Sequence, residues 1–199
     1  MPRWTTRSLH ARTATRRKAR ETSLLTRRRT TSVNGRHHTG ETELMKYQAG
    51  EHVAVHSAPI WRDRANFVIA AHQATKEGKN EWEQLWGQEV APQRCVVCCI
   101  PFFVRDVALG DEVEIDANFV LQRVVRPSGQ VTFRVWFGGQ DATTRQNLVR
   151  EIEAIKPLME WFSENLLALS VPEAEAQHLA DYLQLQENEG LLQYETGRS

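Results

Sequence analysis

The chain has 199 residues, of which 41% are hydrophobic and 25% charged, and its six Trp and seven Phe suit the core of a globular protein. No apolar run approaches the length of about 18 residues that a membrane span needs, and the N-terminal residues lack the apolar segment of a secretory signal. We therefore expect a cytoplasmic protein that has no membrane partner.

The formal net charge is zero because the positive charge of a basic N-terminal segment offsets the negative charge of the rest of the chain. Residues 1–49 contain 12 Lys and Arg against 3 acids, whereas residues 50–199 contain 13 against 22. Residues 1–48 are rich in Arg, Thr and Ser, and they have too few apolar side chains to offset the entropy lost on ordering. This composition predicts a disordered arm, followed by a single compact domain over residues 49–199.

Three interpretations of this arm are open. Its arginines could contact the phosphates of a nucleic acid, although no aromatic side chains alternate with them to stack on bases. Its composition also allows an organelle transit peptide. The third interpretation, which we favour, is that the arm is dispensable or an over-extended start, since the composition becomes ordinary at Met45.

Alternating patterns predict the first strands of the body. Glu51–His56 and Asn66–His72 alternate as strands do, and the polar loop that follows contains a glycine. In the next segment Trp82, Trp86 and Val90 stand at even spacing, so they share a face if the segment is extended. The run CVVCCIPFFV is nearly all apolar and predicts a buried strand, in which Pro101 implies an edge position or a bulge.

A tight corner and a hairpin are predicted next. Gly110 can adopt a positive φ and Asp111 can bond its own backbone, so this pair predicts a turn. Phe119–Val125 and Val131–Phe137 predict two strands that residues 127–129 join as a hairpin. The middle of the body is then an antiparallel β-meander or a small barrel-like sheet.

The apolar period changes from two to between three and four near Thr143. It predicts one helical face that consists of Leu148, Ile152, Ile155, Met159 and Phe162. Pro157 should kink or split this helix. A strand over NLLALSV, a helix that follows Pro172 and is capped by Gly190, and a strand over LLQYET complete the chain. The predicted fold class is α+β, with a β-α-β-α-β C-terminal half of the ferredoxin-like kind.

Several short motifs in these segments together resemble a known family. In chain order they are Leu85-Trp86, Ile100-Pro101-Phe102-Phe103, Gly110-Asp111 with Val113-Glu114, Ser128-Gly129, and Gly190 with Tyr194-Glu195. This ordered set resembles the bacterial family of domains of unknown function numbered 4265, over roughly residues 50 to 196. The resemblance implies a bacterial, cytosolic α+β protein, and it implies no particular substrate or activity.

Asp111 is the first candidate for a catalytic residue. Together with Arg105, Asp106 and Arg134 it could line a cryptic pocket at the Gly-Asp corner, where it would act as a general base. Turn chemistry by itself also accounts for an aspartate after Gly110, and we favour that interpretation.

Metal sites are weakly indicated. The three cysteines lack a fourth ligand for a soft metal, and a buried strand would direct two of them to opposite faces. His52 and His56 would lie roughly 13 Å apart on a strand, and no paired cysteines precede His37-His38. We therefore predict no metal and no cofactor, and we expect inert core thiols at Cys95, Cys98 and Cys99.

The sequence contains none of the common catalytic motifs. The sequence contains no phosphate-binding glycine loop, dinucleotide fingerprint, Gly-x-Ser-x-Gly elbow or His-Glu-x-x-His motif. It favours a non-catalytic protein-binding or regulatory module, for example of the immunity or antitoxin kind, whose acidic body would capture a basic partner. An enzyme with a cryptic pocket near the Gly-Asp corner is one alternative. Nucleic-acid binding, through the arm alone, is the other.

Overall fold

The computed structural model describes residues 51–76 and 78–197, so the predictions for the arm, Met45 and His37-His38 lie outside the described residues. The described residues form ten strands and two helices. The strands are β1 (His52–Val55), β2 (Phe67–Lys76), β3 (Lys79–Ala91), β4 (Arg94–Val97), β5 (Glu112–Ile115), β6 (Leu121–Arg126), β7 (Gln130–Trp136), β8 (Leu158–Ser163), β9 (Leu166–Pro172) and β10 (Gln193–Thr196). The helices are α1 (Ala142–Ala154) and α2 (Glu173–Asn188).

The first sheet contains β1 to β6. Consecutive strands from β2 to β6 pair antiparallel, as the predicted meander requires, and β1 pairs in parallel with β3. An isolated bridge between Ala70 and Val120 connects β2 to the residue before β6. The buried core of this sheet includes Ile69, Leu85, Cys95, Val97 and Val113.

The second sheet has the strand order β10-β7-β9-β8 and is antiparallel throughout. Apolar residues on one face of β7 and β9 pack with the buried stripes of α1 and α2. Polar groups such as Arg134 on β7 and Glu160 on β8 are also buried. The element order from β7 is β-α-β-β-α-β, one strand more than the predicted β-α-β-α-β.

The additional strand is the main correction to the predicted secondary structure. The helix predicted from Thr143 through Phe162 ends at Ala154, and residues 158–163 form β8 instead. Pro157 has no N–H group to continue the helix and clashes with the preceding turn. Met159 and Phe162 therefore lie on a strand that pairs with β9, while Leu148 and Ile152 form the buried stripe of α1 as predicted.

Two predicted strand arrangements are also wrong. The run CVVCCIPFFV is a strand only as far as Val97, and Pro101 lies in the irregular segment that follows. The predicted hairpin does not form, because β6 belongs to the first sheet and β7 to the second. Gly129, at φ +80°, lies in the turn that leads from one sheet to the other.

The helix boundaries agree with the chemistry of the sequence. Asp141 caps α1 by accepting hydrogen bonds from the N–H groups of Thr143 and Thr144. Pro172 precedes α2, and Gly190 follows it at φ +74°, the left-handed conformation expected for a C-terminal glycine.

Candidate functional site

Three buried ionisable side chains meet at His56, which directly follows β1. Its Nε2 donates a hydrogen bond to Glu83 of β3 at 2.9 Å, and its Nδ1 donates to Glu160 of β8. All three residues are at most 3% exposed. We call this set the buried His-Glu cluster. It joins a strand of the first sheet to a strand of the second through one imidazole ring.

The same two carboxylates hold the irregular segment after β4. Glu83 accepts hydrogen bonds from the N–H groups of three consecutive residues, Phe102, Phe103 and Val104, at 2.6 to 3.0 Å. Glu160 accepts another from Ile100 at 2.9 Å. Buried N–H groups must find acceptors, and here carboxylates replace the strand partner that this segment lacks.

The electrostatics of the cluster favour a permanently charged imidazole. Burial lowers the pKa of His56, but the contacts of the ring with Cys99, Glu160 and Glu83 outweigh burial and raise this pKa from 6.5 to about 12. Burial raises the pKa of Glu83, whereas the bonds from His56 and from the backbone lower it more, so the net shift is downward. The cluster therefore contains an imidazolium at neutral pH.

Cys99 lies against this imidazolium but is not activated by it. Burial raises the pKa of the Cys99 thiol to about 11, against the opposing effect of His56. A nucleophilic cysteine must be a thiolate, and a general base must be a neutral imidazole. The pKa shifts therefore favour the neutral Cys99 thiol and the charged His56 imidazolium at neutral pH.

The Gly-Asp corner is a turn with a buried cap. Gly110 has a φ of +83°, and the carboxylate of Asp111 accepts hydrogen bonds from the N–H groups of Ala108 at 2.9 Å and Ser128 at 2.7 Å. Asp111 is fully buried, so these two bonds connect the corner to the turn between the sheets. Asp106 lies nearby in sequence, in the irregular segment, with a φ of +60°.

The other two candidates from the sequence, Arg105 and Arg134, meet at Glu195. Arg134 is buried and donates to the carbonyl oxygens of Pro101 and Val104 and to the Glu195 carboxylate. Arg105 bonds the second oxygen of Glu195 at 3.3 Å. The structure thus places Arg134 behind the irregular segment, where it satisfies carbonyl oxygens, while Glu83 satisfies N–H groups of the same segment.

The remaining motif residues from the sequence are distributed around this segment and the turns. Leu85 is in the core of the first sheet, and the indole N–H of Trp86 donates to the carbonyl oxygen of His56 at 3.0 Å. The Phe102 ring stacks on the His56 ring at 4.1 Å, and Phe103 lies on the surface. Ser128, Gly129 and Gly190 occupy turns.

Candidate metal ligands do not converge in the part of the chain that the structure describes. Within that part, no group of three or more His, Cys, Asp or Glu side chains has an arrangement that could hold a metal ion. All three cysteines are free thiols and buried. Neither α1 nor α2, the helices of the described residues, has the length and apolar composition of a membrane-spanning segment.

Sequence reasoning missed the centre of this arrangement. Glu83 was not considered, although it stands two residues before Leu85 and therefore on the same face of β3. The sequence pattern predicts a helix at Glu160 and the end of a strand at His56, and neither pattern indicates that these two side chains meet. A glutamate in register with the buried residues of a strand is the one local signal that could have revealed the cluster.

Comparisons with known proteins agree with the fold. No curated protein matches the chain. The crystal structure of a hypothetical protein from Neisseria gonorrhoeae is similar, with a TM-score of 0.57 and 21% identity, over 66% of this chain and 93% of that one. At that identity the likeness concerns the fold alone. The model of the family described as Domain of unknown function (DUF4265) matches residues 83–194, which is more than half of the chain. The chain therefore belongs to the DUF4265 family.

Proposed function

We propose that this protein is a non-catalytic binding module that captures a basic protein partner through the exposed face of α2, as an immunity or antitoxin-like protein would. The observation that carries the proposal is the charge of this helix. It contains no Lys or Arg, and together with the residue after it, it bears five acids. These acids are Glu173, Glu175, Asp181, Glu187 and Glu189.

The helix dipole does not account for this distribution. Glu173 and Glu175 lie in the first turn, where the helix dipole favours negative charge. Glu187 and Glu189 lie at the opposite end, where a carboxylate is unfavourable by about 0.3–1 kcal/mol and a cation is the stabilising choice. An acidic C-terminal end with no basic residue in the last turn supports a role in recognition.

The negative field of this face also acts on its neighbours. Burial raises the pKa of Tyr194, and the charges of Glu187 and Asp181 raise it further. Complementary charge accelerates encounter with a partner and suppresses wrong partners. His56 and Cys99 are buried and bonded within the His-Glu cluster, which supports a function exerted by the surface.

The test is capture of partners by the tagged full-length chain, with two matched triple variants. Each variant removes three exposed negative charges, so the two have the same net charge. The helix variant carries Glu175→Gln, Asp181→Asn and Glu189→Gln. The control variant carries Asp63→Asn, Glu89→Gln and Glu153→Gln.

We expect the wild type and the control variant to retain the same basic protein in near-stoichiometric amount. The helix variant should bind it at least about tenfold more weakly, because three charge pairs at about 0.5 kcal/mol each amount to that factor. Equal binding by the two variants, or no stoichiometric partner for the wild type, would show that α2 is not a capture surface.

We also propose the finer classification on which this function depends. Residues 49–199 would form one α+β domain of a bacterial cytoplasmic protein, with residues 1–48 as an appended arm. The element order β-α-β-β-α-β and the strand order β10-β7-β9-β8 support a ferredoxin-like C-terminal half. A ferredoxin-like unit has both helices on one face of its sheet, and the exposed side of α2 would be available to a partner on that face.

A further inference from the structure

Strand β1 is a short edge strand of the first sheet. It has four residues and, within the described part of the chain, it pairs on one side only, in parallel with β3. His52 and Val55 are exposed, and Ala54 is the one buried residue of the strand. Elements that bury little apolar surface and have few backbone partners are the parts of a fold that open most readily.

The chain that follows β1 is held mainly by polar contacts. The carbonyl oxygen of His56 accepts a hydrogen bond from the indole N–H of Trp86 at 3.0 Å. The N–H group of Ile60 donates to Glu160 at 3.4 Å, and that of Trp61 donates to the carbonyl oxygen of Cys98 at 3.1 Å. We call residues 52–61 the strap. Each of these bonds contributes little net free energy, because water replaces it when the segment opens.

The ionic contacts of His56 are compatible with opening of the strap. The imidazolium leaves with the strap and regains water, and so do the carboxylates of Glu83 and Glu160 that face it. Desolvation offsets much of the attraction within a buried ion pair, so separation into water costs less than removal of one partner from a closed site. Glu83 keeps its bonds to the N–H groups of residues 102–104, and Glu160 keeps its bond to Ile100, so the irregular segment stays held.

Two buried thiols differ in their relation to the strap. The side chain of Cys99 is fully buried and lies against the His56 imidazole. Cys95 is also fully buried, but it belongs to β4, which is paired with β3 on one side and β5 on the other. Access to Cys95 therefore requires disruption of the sheet, whereas departure of His56 uncovers Cys99.

We propose that the strap opens as a unit from an otherwise folded domain, and that this opening exposes Cys99, Glu83 and Glu160 to solvent while Cys95 stays buried. The open state leaves the edge of β3 without a partner at residues 81–84. Closure of the strap is then the step that connects the two sheets through His56. This inference does not depend on the proposed function of α2.

The test is labelling of the full-length chain with iodoacetamide at neutral pH, in urea that is raised stepwise from zero until Cys95 reacts. Trypsin releases residues 95–105 as one peptide, and its fragmentation assigns the label to each thiol. Below the unfolding transition Cys99 should react at least about tenfold faster than Cys95, after correction for the rates of both thiols in denatured protein. The Cys99 rate should also depend only weakly on urea, because a local opening exposes little surface. A corrected Cys99 rate equal to or below that of Cys95 at every urea concentration would overturn the proposal.

A matched pair of alanine-to-glycine variants identifies the element that opens. Ala54→Gly weakens the closed strap, so it should speed the labelling of both Cys99 and Cys95 by about twofold to fivefold. Ala176→Gly weakens α2, which stays folded in the open state, so it should speed the labelling of Cys95 by a similar factor and leave that of Cys99 unchanged. A Cys99 rate that ignores Ala54→Gly would place the opening in another element. A Cys99 rate that rises with Ala176→Gly would mean global unfolding, and either result would overturn the proposal.

Discussion

The His-Glu cluster predicts that this protein loses stability as the pH rises above neutrality. The pKa of His56 is raised in the folded state, from 6.5 to about 12, so the folded chain binds this proton more tightly than the unfolded chain does. Its stabilising contribution is complete below pH 6.5, where both states are protonated, and it declines from there towards pH 12. Each pH unit in that interval corresponds to about 1.4 kcal/mol, because one proton is released on unfolding.

The experiment is urea denaturation followed by tryptophan fluorescence, at constant ionic strength, between about pH 7 and pH 8.5. The free energy of unfolding should fall by about 2 kcal/mol over this interval. The limit of pH 8.5 separates the effect of His56 from that of the buried thiols. Burial raises the pKa values of Cys95 and Cys99 from 9.0 to about 11, so these thiols begin to lower the stability only near pH 9.

Two variants identify the source of this slope. His56→Gln should be destabilised by about 3–5 kcal/mol, because two buried carboxylates lose their counterion, and its remaining stability should not fall over this pH interval. His178→Gln, which changes an exposed histidine of α2, should keep the full slope. If His56→Gln does not fold, the wild type and His178→Gln still decide the question. A wild-type stability that is constant from pH 7 to pH 8.5 would refute a protonated His56 and the charge assignment of the buried His-Glu cluster.

Three further predictions concern the carboxylate of Glu83, the two glycine turns and the buried thiols. In urea denaturation, Glu83→Gln should lower the free energy of unfolding by about 3 kcal/mol, because it removes the charge that binds His56 and three N–H groups. The control Glu89→Gln, at the exposed end of β3, should change this free energy by less than about 0.5 kcal/mol. Gly110→Ala should lower the free energy of unfolding by about 3 kcal/mol and Gly129→Ala by about 1 kcal/mol in the same assay, because both glycines have positive φ. The cost is larger at Gly110 because its added Cβ would lie 3.1 Å from Ser128 and 3.3 Å from Trp61, whereas nothing lies within 4 Å at Gly129. Native protein should not react with a thiol reagent at neutral pH, whereas denatured protein should expose three thiols; rapid labelling of the native protein would contradict the burial of Cys95, Cys98 and Cys99.

The cluster also explains why an irregular segment can lie inside this fold. Residues 98–104 belong to no strand, yet Ile100 and Phe102 are buried. Glu83 and Glu160 accept from the N–H groups of this segment, and Arg134 donates to its carbonyl oxygens. Removal of one member leaves buried groups of the others without the hydrogen bond or charge that it supplied, so the segment and the cluster should lose stability together.

Local chemistry in the sequence was sufficient for strands β1, β2, β6 and β7, the turn at Gly110-Asp111, the limits of α2 and the stripe of Leu148 and Ile152. In each case the signal is a short-range pattern, such as alternation, helical spacing or a residue that tolerates positive φ, and neighbouring residues alone express it. The resemblance to the family was also recognisable from the sequence, and the family model matches residues 83–194.

Tertiary structure alone decided three other features. Residues 158–163 have apolar spacing that suits a helix, but pairing with β9 makes them a strand. The strands on either side of Gly129 look like a hairpin, yet they belong to different sheets. His56, Glu83 and Glu160 converge across 104 residues of sequence. No local pattern encodes such contacts, because their free energy comes from burial and from partners that only the folded chain brings together.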